Sequence, residues 1–466
     1  MIRGVAAIAV LIAWLQIDTV GLRAASDPTV PAILSLREQA SLRDAWLERR
    51  LETVLPALME RHGIDMWLLI AREYNEDPVM ETMLPATWLS ARRRTVLMFY
   101  LSQPGREVER LSITYHAVRS REAGSREGVG SDLYQHVWAP SQQPDQWARI
   151  RELVADRDPR KIALNRSSVF PLADGLTASE EAALVNALGE RYATRLVSGE
   201  PLALGWLETR IPEEMAVYPT IQRVAHAILI EGLSERVITP GVTRTIDVQW
   251  WYRERIRELG LETWFHPSVS IDRPQEPAHV SYGRSKVPGM DLVIQPGDLL
   301  HVDFGIKYLG FTTDTQNHAY VLRPGEADAP EGLQAGLAAA NRVQDTLMAN
   351  FRAGEAANDL LVRAGTQARS EGFAATIYSH ALGYHGHGAG PWIGSTDNQK
   401  GIPGAGEYPI HPNTAWSIEL SVEVAVPEWG GQKVRFRLEE DAYFDGQAIR
   451  FLDGRQKKLH LIPRPR

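Results

Sequence analysis

Apolar positions in the first half of the chain alternate between helical and strand-like spacing. Residues 34–62 place Trp46, Leu47, Leu51, Val54, Leu55, Leu58 and Met59 on one stripe, which predicts a long amphipathic helix stopped by Gly63. The runs DMWLLIA, RRTVLMFYLS, RLSITYH, KIALN and ATRLVSG are short, apolar and rich in branched residues, as strands are. Helical pattern lies between some of them, notably around residues 179–192. An α/β domain over residues 34–205 is predicted.

A second domain, residues 210–455, opens at Pro212-Glu213-Glu214, a good first helical turn. A helix is predicted to about Ile238, with Pro219 kinking its start, and a second follows between Gly241 and Gly260. An extended region and a hairpin come next. The order then recurs: a helix over Glu331–Phe351, a second between Gly354 and Gly372, an extended region and another hairpin. This is the pattern of a duplicated helix–helix–hairpin unit, with helices outside and a site where the two hairpins meet. The fold class is therefore α+β.

The hairpins carry the candidate chemistry. In GDLLHVDFGIKYLGFTTDTQNHAYVL, Asp303 and Asp314 lie equally far on either side of a turn centred on Tyr308 and Leu309, so regular pairing would oppose them on one face. Two ionised carboxylates about 5 Å apart need a compensating charge, and a pair of divalent metals about 3.5–4 Å apart supplies one. Glu419 and Glu439 are likewise symmetric about Trp429. Glu423 and Asp441 share their parity, so alternation alone does not select the ligands; Glu440 has the opposite parity.

Composition narrows the metal. The chain has 466 residues, a net charge of −8 and no cysteine. Thiolate sites, disulfides and a lipoprotein anchor are excluded, and carboxylate and imidazole ligands suit manganese, cobalt, iron or zinc. The mild acidity gives no polybasic footprint for nucleic acid or anionic lipid. At the N-terminus, Arg3 precedes an apolar run from Gly4 to Leu15, and Ala24 and Ala25 offer small residues for cleavage. Residues 1–25 thus read as a signal peptide, with an uncleaved anchor as the alternative, and predict export to the periplasm or outside with no membrane attachment after removal.

With His380, these residues carry a resemblance. The second domain resembles the pita-bread metallopeptidases, which include methionine aminopeptidase, Xaa-Pro aminopeptidase and prolidase. Asp303 of VDFG and Asp314 of TTDTQN match the two aspartates of the family's first hairpin. SHALGYHGHGAG supplies His380 and His387, Ile418-Glu419 matches the first glutamate, and Arg437-Leu438-Glu439-Glu440 the last. The resemblance implies that Asp303 chelates one metal, that His380 and Glu419 bind the other, and that Asp314 and Glu439 bridge both. It implies a bridging hydroxide as nucleophile, Glu419 as proton relay, His279 and His387 facing the substrate, and Arg437 orienting a carboxylate. The separate α/β domain is similar to that of the proline-specific branch and creatinase. It implies an exopeptidase cleaving Xaa-Pro bonds at the N-termini of small peptides, manganese foremost among its metals, and assembly into dimers or tetramers.

The chain departs from the family at Gln316-Asn317-His318, where an arginine is usual, at Leu420-Ser421, and in the glycine- and proline-rich loop PWIGSTDNQKGIPGAGEYPIHP, expected to rim the site. These departures bear on substrate and keep open a non-peptidase hydrolase or lyase of the same fold. A metal-free binding module is disfavoured by retention of all five ligands. His301 shares the face of Asp303 and could support a ligand from behind, but reads first as a packed or exposed histidine; His266, His318 and His385 read as structural or surface residues, and Trp250 and Trp251 as core or interface rather than a substrate cage. HGHGAG lacks the pattern of a phosphate loop.

Overall fold

The computed structural model describes residues 30–119, 133–274 and 291–464. The predicted signal peptide and His279 fall outside them. The first helix, α1 (Leu36–His62), begins where Ser35 and Glu38 cap each other's backbone amides, and the whole predicted stripe from Trp46 to Met59 is buried. The apolar runs become β1 (Met66–Arg72), β2 (Arg94–Tyr100), β3 (Glu109–Ile113), β5 (Ile162–Leu164) and β6 (Leu196–Ser198), with a short β4 (Gln135–His136) added. They form one six-stranded sheet in the order β4-β3-β2-β1-β5-β6. Between them lie α2 (Pro78–Met83), α3 (Gln146–Arg157) and α4 (Ala178–Ala193).

A helix α5 (Glu200–Glu208) leads into the rest of the chain. Arg50 of α1, fully buried, reaches its last turn: the guanidinium donates to the carbonyls of Trp206 and Thr209 and pairs with Glu214 at 3.1 Å. Tyr384 donates to the same carboxylate at 2.9 Å.

Instead of one helix to Ile238, the chain forms α6 (Pro212–Met215) and α7 (Tyr218–Gly232). Pro219 sits at the start of α7, where its missing N–H costs nothing, so a break replaces the expected kink. Then come α8 (Thr245–Glu258), β7 (Ser268–Asp272), β8 (Leu299–Phe304), the small hairpin β9 (Lys307–Tyr308) and β10 (Phe311–Thr312), and β11 (Thr315–Val321). The second unit has α9 (Glu331–Ala349), α10 (Ala357–Ser370), β12 (Ala374–Ile377), β13 (Ser379–Leu382), β14 (Trp392–Ile393), β15 (Thr414–Ser417), β16 (Leu420–Val426), β17 (Gln432–Leu438), β18 (Asp441–Phe444), β19 (Ile449–Phe451) and β20 (His460–Ile462).

The internal repeat is visible in the pairing. β7 pairs antiparallel with β8 and β8 with β11; β12 pairs antiparallel with β16 and β16 with β17. The glycines flanking α8 and α10 all have positive φ, between 70° and 87°. Helix α9 lies on β16 and β17 so closely that a Cβ on Gly336 would meet the Phe436 ring at 2.0 Å. A bridge between Gln316 and Glu439 joins the four-stranded sheet β20-β11-β8-β7 to the second hairpin.

Candidate metal centre

The second hairpin has the register the sequence suggests. Leu420 faces Leu438, the Ile418 amide donates to the Glu440 carbonyl, and Ser417 faces Asp441, so Glu419 and Glu439 are opposed where one ladder ends and the next begins. The first hairpin differs. Its turn is Leu309-Gly310 (φ 56° and 88°), one residue beyond the expected centre. Moving a turn centre by one residue moves every partner by two, so Asp303 faces Gln316 and not Asp314. A two-residue shift preserves parity, and Asp314 still reaches the cluster from just before β11.

Ligand atoms gather in three overlapping groups, each within 4.8 Å: Asp303, Asp314 and Glu439; His380, Glu419 and Glu439; Asp314, His380 and His387. The His380 ring points Nε2 at Glu439 (3.5 Å), Asp314 (3.7 Å) and Glu419 (3.9 Å), none close enough for a hydrogen bond. Its Nδ1 donates to the Ala381 carbonyl at 2.9 Å, leaving the Nε2 lone pair aimed into the carboxylates. His380 Nε2 and Asp314 Oδ1 are buried without a hydrogen-bond partner. Burial, then the charge of Glu439, holds Asp303, Asp314 and Glu419 well above the ordinary carboxylate range; Arg437 partly offsets this at Asp303. Buried acids crowding an unpartnered imidazole nitrogen fit divalent cations and are costly without them.

The surrounding side chains hold these groups. Asp441 accepts from the Asp314 amide at 3.2 Å. Glu440 turns away, as its parity predicts, and meets His226 (2.7 Å), Asn317 (3.1 Å) and the Gln456 amide. Burial pulls the His226 pKa down, but Glu440 and Asp453 outweigh it and raise it to about 10. His318 is buried, donating to the Leu300 carbonyl and accepting from the Arg437 amide, and burial lowers its pKa to about 3. His301 is also buried, closing the choice the sequence leaves open. Trp250 stands 53% exposed with its ring beside His266, contrary to a core assignment.

His387 is exposed over the cluster, its ring 4.9 Å from that of His380 and perpendicular to it. Trp264 (5.5 Å) and Trp392 (6.2 Å) flank it. Part of the supposed rim loop is a strand, since β14 pairs with β13 and sets Trp392 opposite His380. Gln316 has no place in the expected ligand set, yet its amide touches both Glu419 (2.5 Å) and Glu439 (2.7 Å). Its parity with Asp314 on a strand next to Asp303 was the signal available in the sequence.

Residues 220–445 match metallopeptidase family M24. No match is found among curated proteins by sequence. Similar solved structures include an X-Pro aminopeptidase from Thermotoga maritima (18% identity, 86% of this chain and 99% of that one, TM-score 0.59). An Xaa-Pro dipeptidase from Bacillus anthracis (17%, 92% and 100%, 0.55) and a prolidase from Pyrococcus horikoshii (12%, 88% and 99%, 0.55) are similar too. At these identities the likeness establishes the fold, a mixed α/β architecture of the pita-bread kind.

Proposed function

We propose that this chain, whose residues 220–445 form a domain of metallopeptidase family M24, is an exported exopeptidase that hydrolyses Xaa-Pro bonds at peptide N-termini with two divalent metal ions. The observation that carries the reading is a pair of ligand triads sharing Glu439. Asp303, Asp314 and Glu439 would hold one cation, and His380, Glu419 and Glu439 the other, with Asp314 also within reach of the His380 side. When bound, such cations acidify a water to near neutrality and polarise a carbonyl.

The protein's own residues supply the rest. Glu419 is only partly buried and its Oε2 faces the cluster. It takes the proton of the attacking water and returns it to the leaving nitrogen as the C–O bond forms and the C–N bond breaks. His387 donates a ring N–H to the carbonyl oxygen as charge develops there. Trp264 and Trp392 on either side of His387 offer an apolar wall to a prolyl ring. His279 completes the substrate contacts by the family resemblance alone. Arg437, buried at 6% exposure, tempers Asp303 by its charge. The Arg3 and Gly4–Leu15 pattern motivates export, and dimers or tetramers are the assemblies the resemblance implies. Among the described residues no helix is long and apolar enough to cross a membrane.

The test is release of N-terminal residues from Xaa-Pro and Xaa-Pro-Yaa peptides with added manganese or cobalt. Glu439→Ala should lower kcat/KM by about 10³-fold or more, as loss of a group serving both cations demands. Activity that survives both chelation and this substitution overturns the reading. A metal-loaded protein inert to every proline peptide but active on other small molecules favours the hydrolase or lyase alternative, which the Gln316-Asn317 departure motivates.

A further inference from the structure

We propose that Gln316 is a positioning residue of the carboxylate cluster, and that its amide, oriented by His301, decides which oxygen of Glu419 and of Glu439 is turned toward His380. The inference rests on the metal-binding reading above. Gln316 is stitched into the site on both sides: Asp303 is its partner in the β8–β11 ladder and Glu439 its partner across the bridge, with the Gln316 amide donating to the Glu439 carbonyl at 3.0 Å. Its side chain is buried.

Nε2 of Gln316 donates to Oε1 of Glu419 and to Oε2 of Glu439. The opposite oxygens, Oε2 of Glu419 and Oε1 of Glu439, are those facing His380 Nε2. Glu419 thus has one oxygen tied back and the other presented, whereas the presented Oε1 of Glu439 also accepts from the Ser417 hydroxyl, so Gln316 and Ser417 fix that carboxylate between them. Ionised carboxylates only accept, so the NH₂ end must face them and Oε1 must face His301, whose Nε2 donates to it at 2.8 Å. The Ser270 hydroxyl lies 3.5 Å from Nδ1 on the far side of that ring.

The residue type follows from this geometry. A primary amide has two N–H groups, enough for two acids, and no charge to compete with a cation. A hydroxyl has one hydrogen and could serve a single acid. An arginine at this position would bring a positive charge beside the cations the carboxylates would hold. A tied carboxylate oxygen keeps a second lone pair, so Glu439 can still serve both triads.

The experiment is a manganese titration of the metal-free, full-length protein, followed by calorimetry and by the electron paramagnetic resonance of the bound ion. Gln316→Leu and Gln316→Met should each weaken manganese binding by about 10–100-fold, the usual effect of losing a partner that orients a ligand. His301→Phe should weaken it in the same direction, and His301→Gln, which keeps a donor, should restore it. The His301→Phe, Gln316→Leu double variant should cost no more than Gln316→Leu alone, since one orients the other. The His301 pair leaves Gln316 in place and tests the orientation even if the Gln316 variants fold poorly. Unchanged manganese affinity and resonance spectrum in the folded variants, or additive losses in the double variant, overturn the proposal. That outcome leaves the functional reading intact, whereas a wild-type protein that binds none of manganese, cobalt, iron and zinc overturns both.

Discussion

In the second hairpin one register runs from Val426–Gln432 to Leu420–Leu438 and resumes unchanged at Ser417–Asp441, so its acids meet head-on. In the first, the turn at Leu309-Gly310 sets a register two residues away from direct opposition, and an amide stands where an acid is expected. Both still deliver two carboxylates to one cluster. Which face a strand residue takes depends on parity alone, and parity survives any shift of two. Direct opposition depends on the exact turn. The first hairpin therefore trades a facing acid for Gln316, and the second keeps both acids.

The hairpins can be separated by their ligands. Asp303→Asn removes an acid found only in the Asp303–Asp314–Glu439 triad, and His380→Ala removes the nitrogen of the His380–Glu419–Glu439 triad. On the two-cation proposal, each should cut bound metal from two ions per chain to about one and lower kcat/KM by about 10²–10³-fold, read by elemental analysis and kinetics. Loss of both ions from either variant would merge the two triads into a single site.

Proton linkage gives a smaller, global measure. Asp303, Asp314 and Glu419 have native pKa values raised by burial and then by Glu439, while their unfolded values are ordinary. Between those limits the native chain binds more protons than the unfolded one. The contribution of these acids to the stability of the metal-free protein should therefore fall as pH rises above about 4 toward the raised values, while the buried histidines His301, His318, His385 and His460, held below their ordinary range by burial, contribute in the opposite sense up to about neutrality. Thermal melts of chelated protein from about pH 5 to about pH 8 should therefore slope more steeply downward with pH in the wild type than in Asp314→Asn, and saturating manganese should remove the acids' share from the wild type. A wild-type slope no more negative than that of Asp314→Asn contradicts the crowding of acids on which both hairpins converge.

The smallest effect lies in the turns. Gly310→Ala puts a side chain at φ 88° and within 3.5 Å of Arg43, whereas Gly430→Ala, at φ 67°, meets open space. Each should cost about 1 kcal/mol by denaturant unfolding, with Gly310→Ala the larger.

Much of this was legible in the chain because it rests on periods. The stripe of α1, the strands of the first sheet and the glycines bounding α8 and α10 follow from spacing and from backbone conformations open mainly to glycine. The symmetry of Glu419 and Glu439 held because the second turn is centred on Trp429. The symmetry of Asp303 and Asp314 failed because Leu309 adopts a left-handed conformation uncommon for a branched residue, and Gly310 was the hint to it. In the motif, Gln316 is only part of a segment, Gln316-Asn317-His318, that lacks an arginine, since a one-dimensional motif says nothing of what lies across the bridge at Glu439. His226 was invisible for the same reason: its partners Glu440 and Asp453 are more than 200 residues away.

Arg50 ties the two ends of this architecture together. A buried guanidinium from α1 donates to the last turn of α5 and pairs with Glu214, which also holds Tyr384, four residues beyond His380. Pulling α1 away would strand Glu214 without that guanidinium and release the tether on the segment leading to His387. Helix α1 and the segment just beyond His380 thus meet at one buried carboxylate, and a lesion at Arg50, distant in sequence from every ligand, removes a partner of the residue that anchors Tyr384.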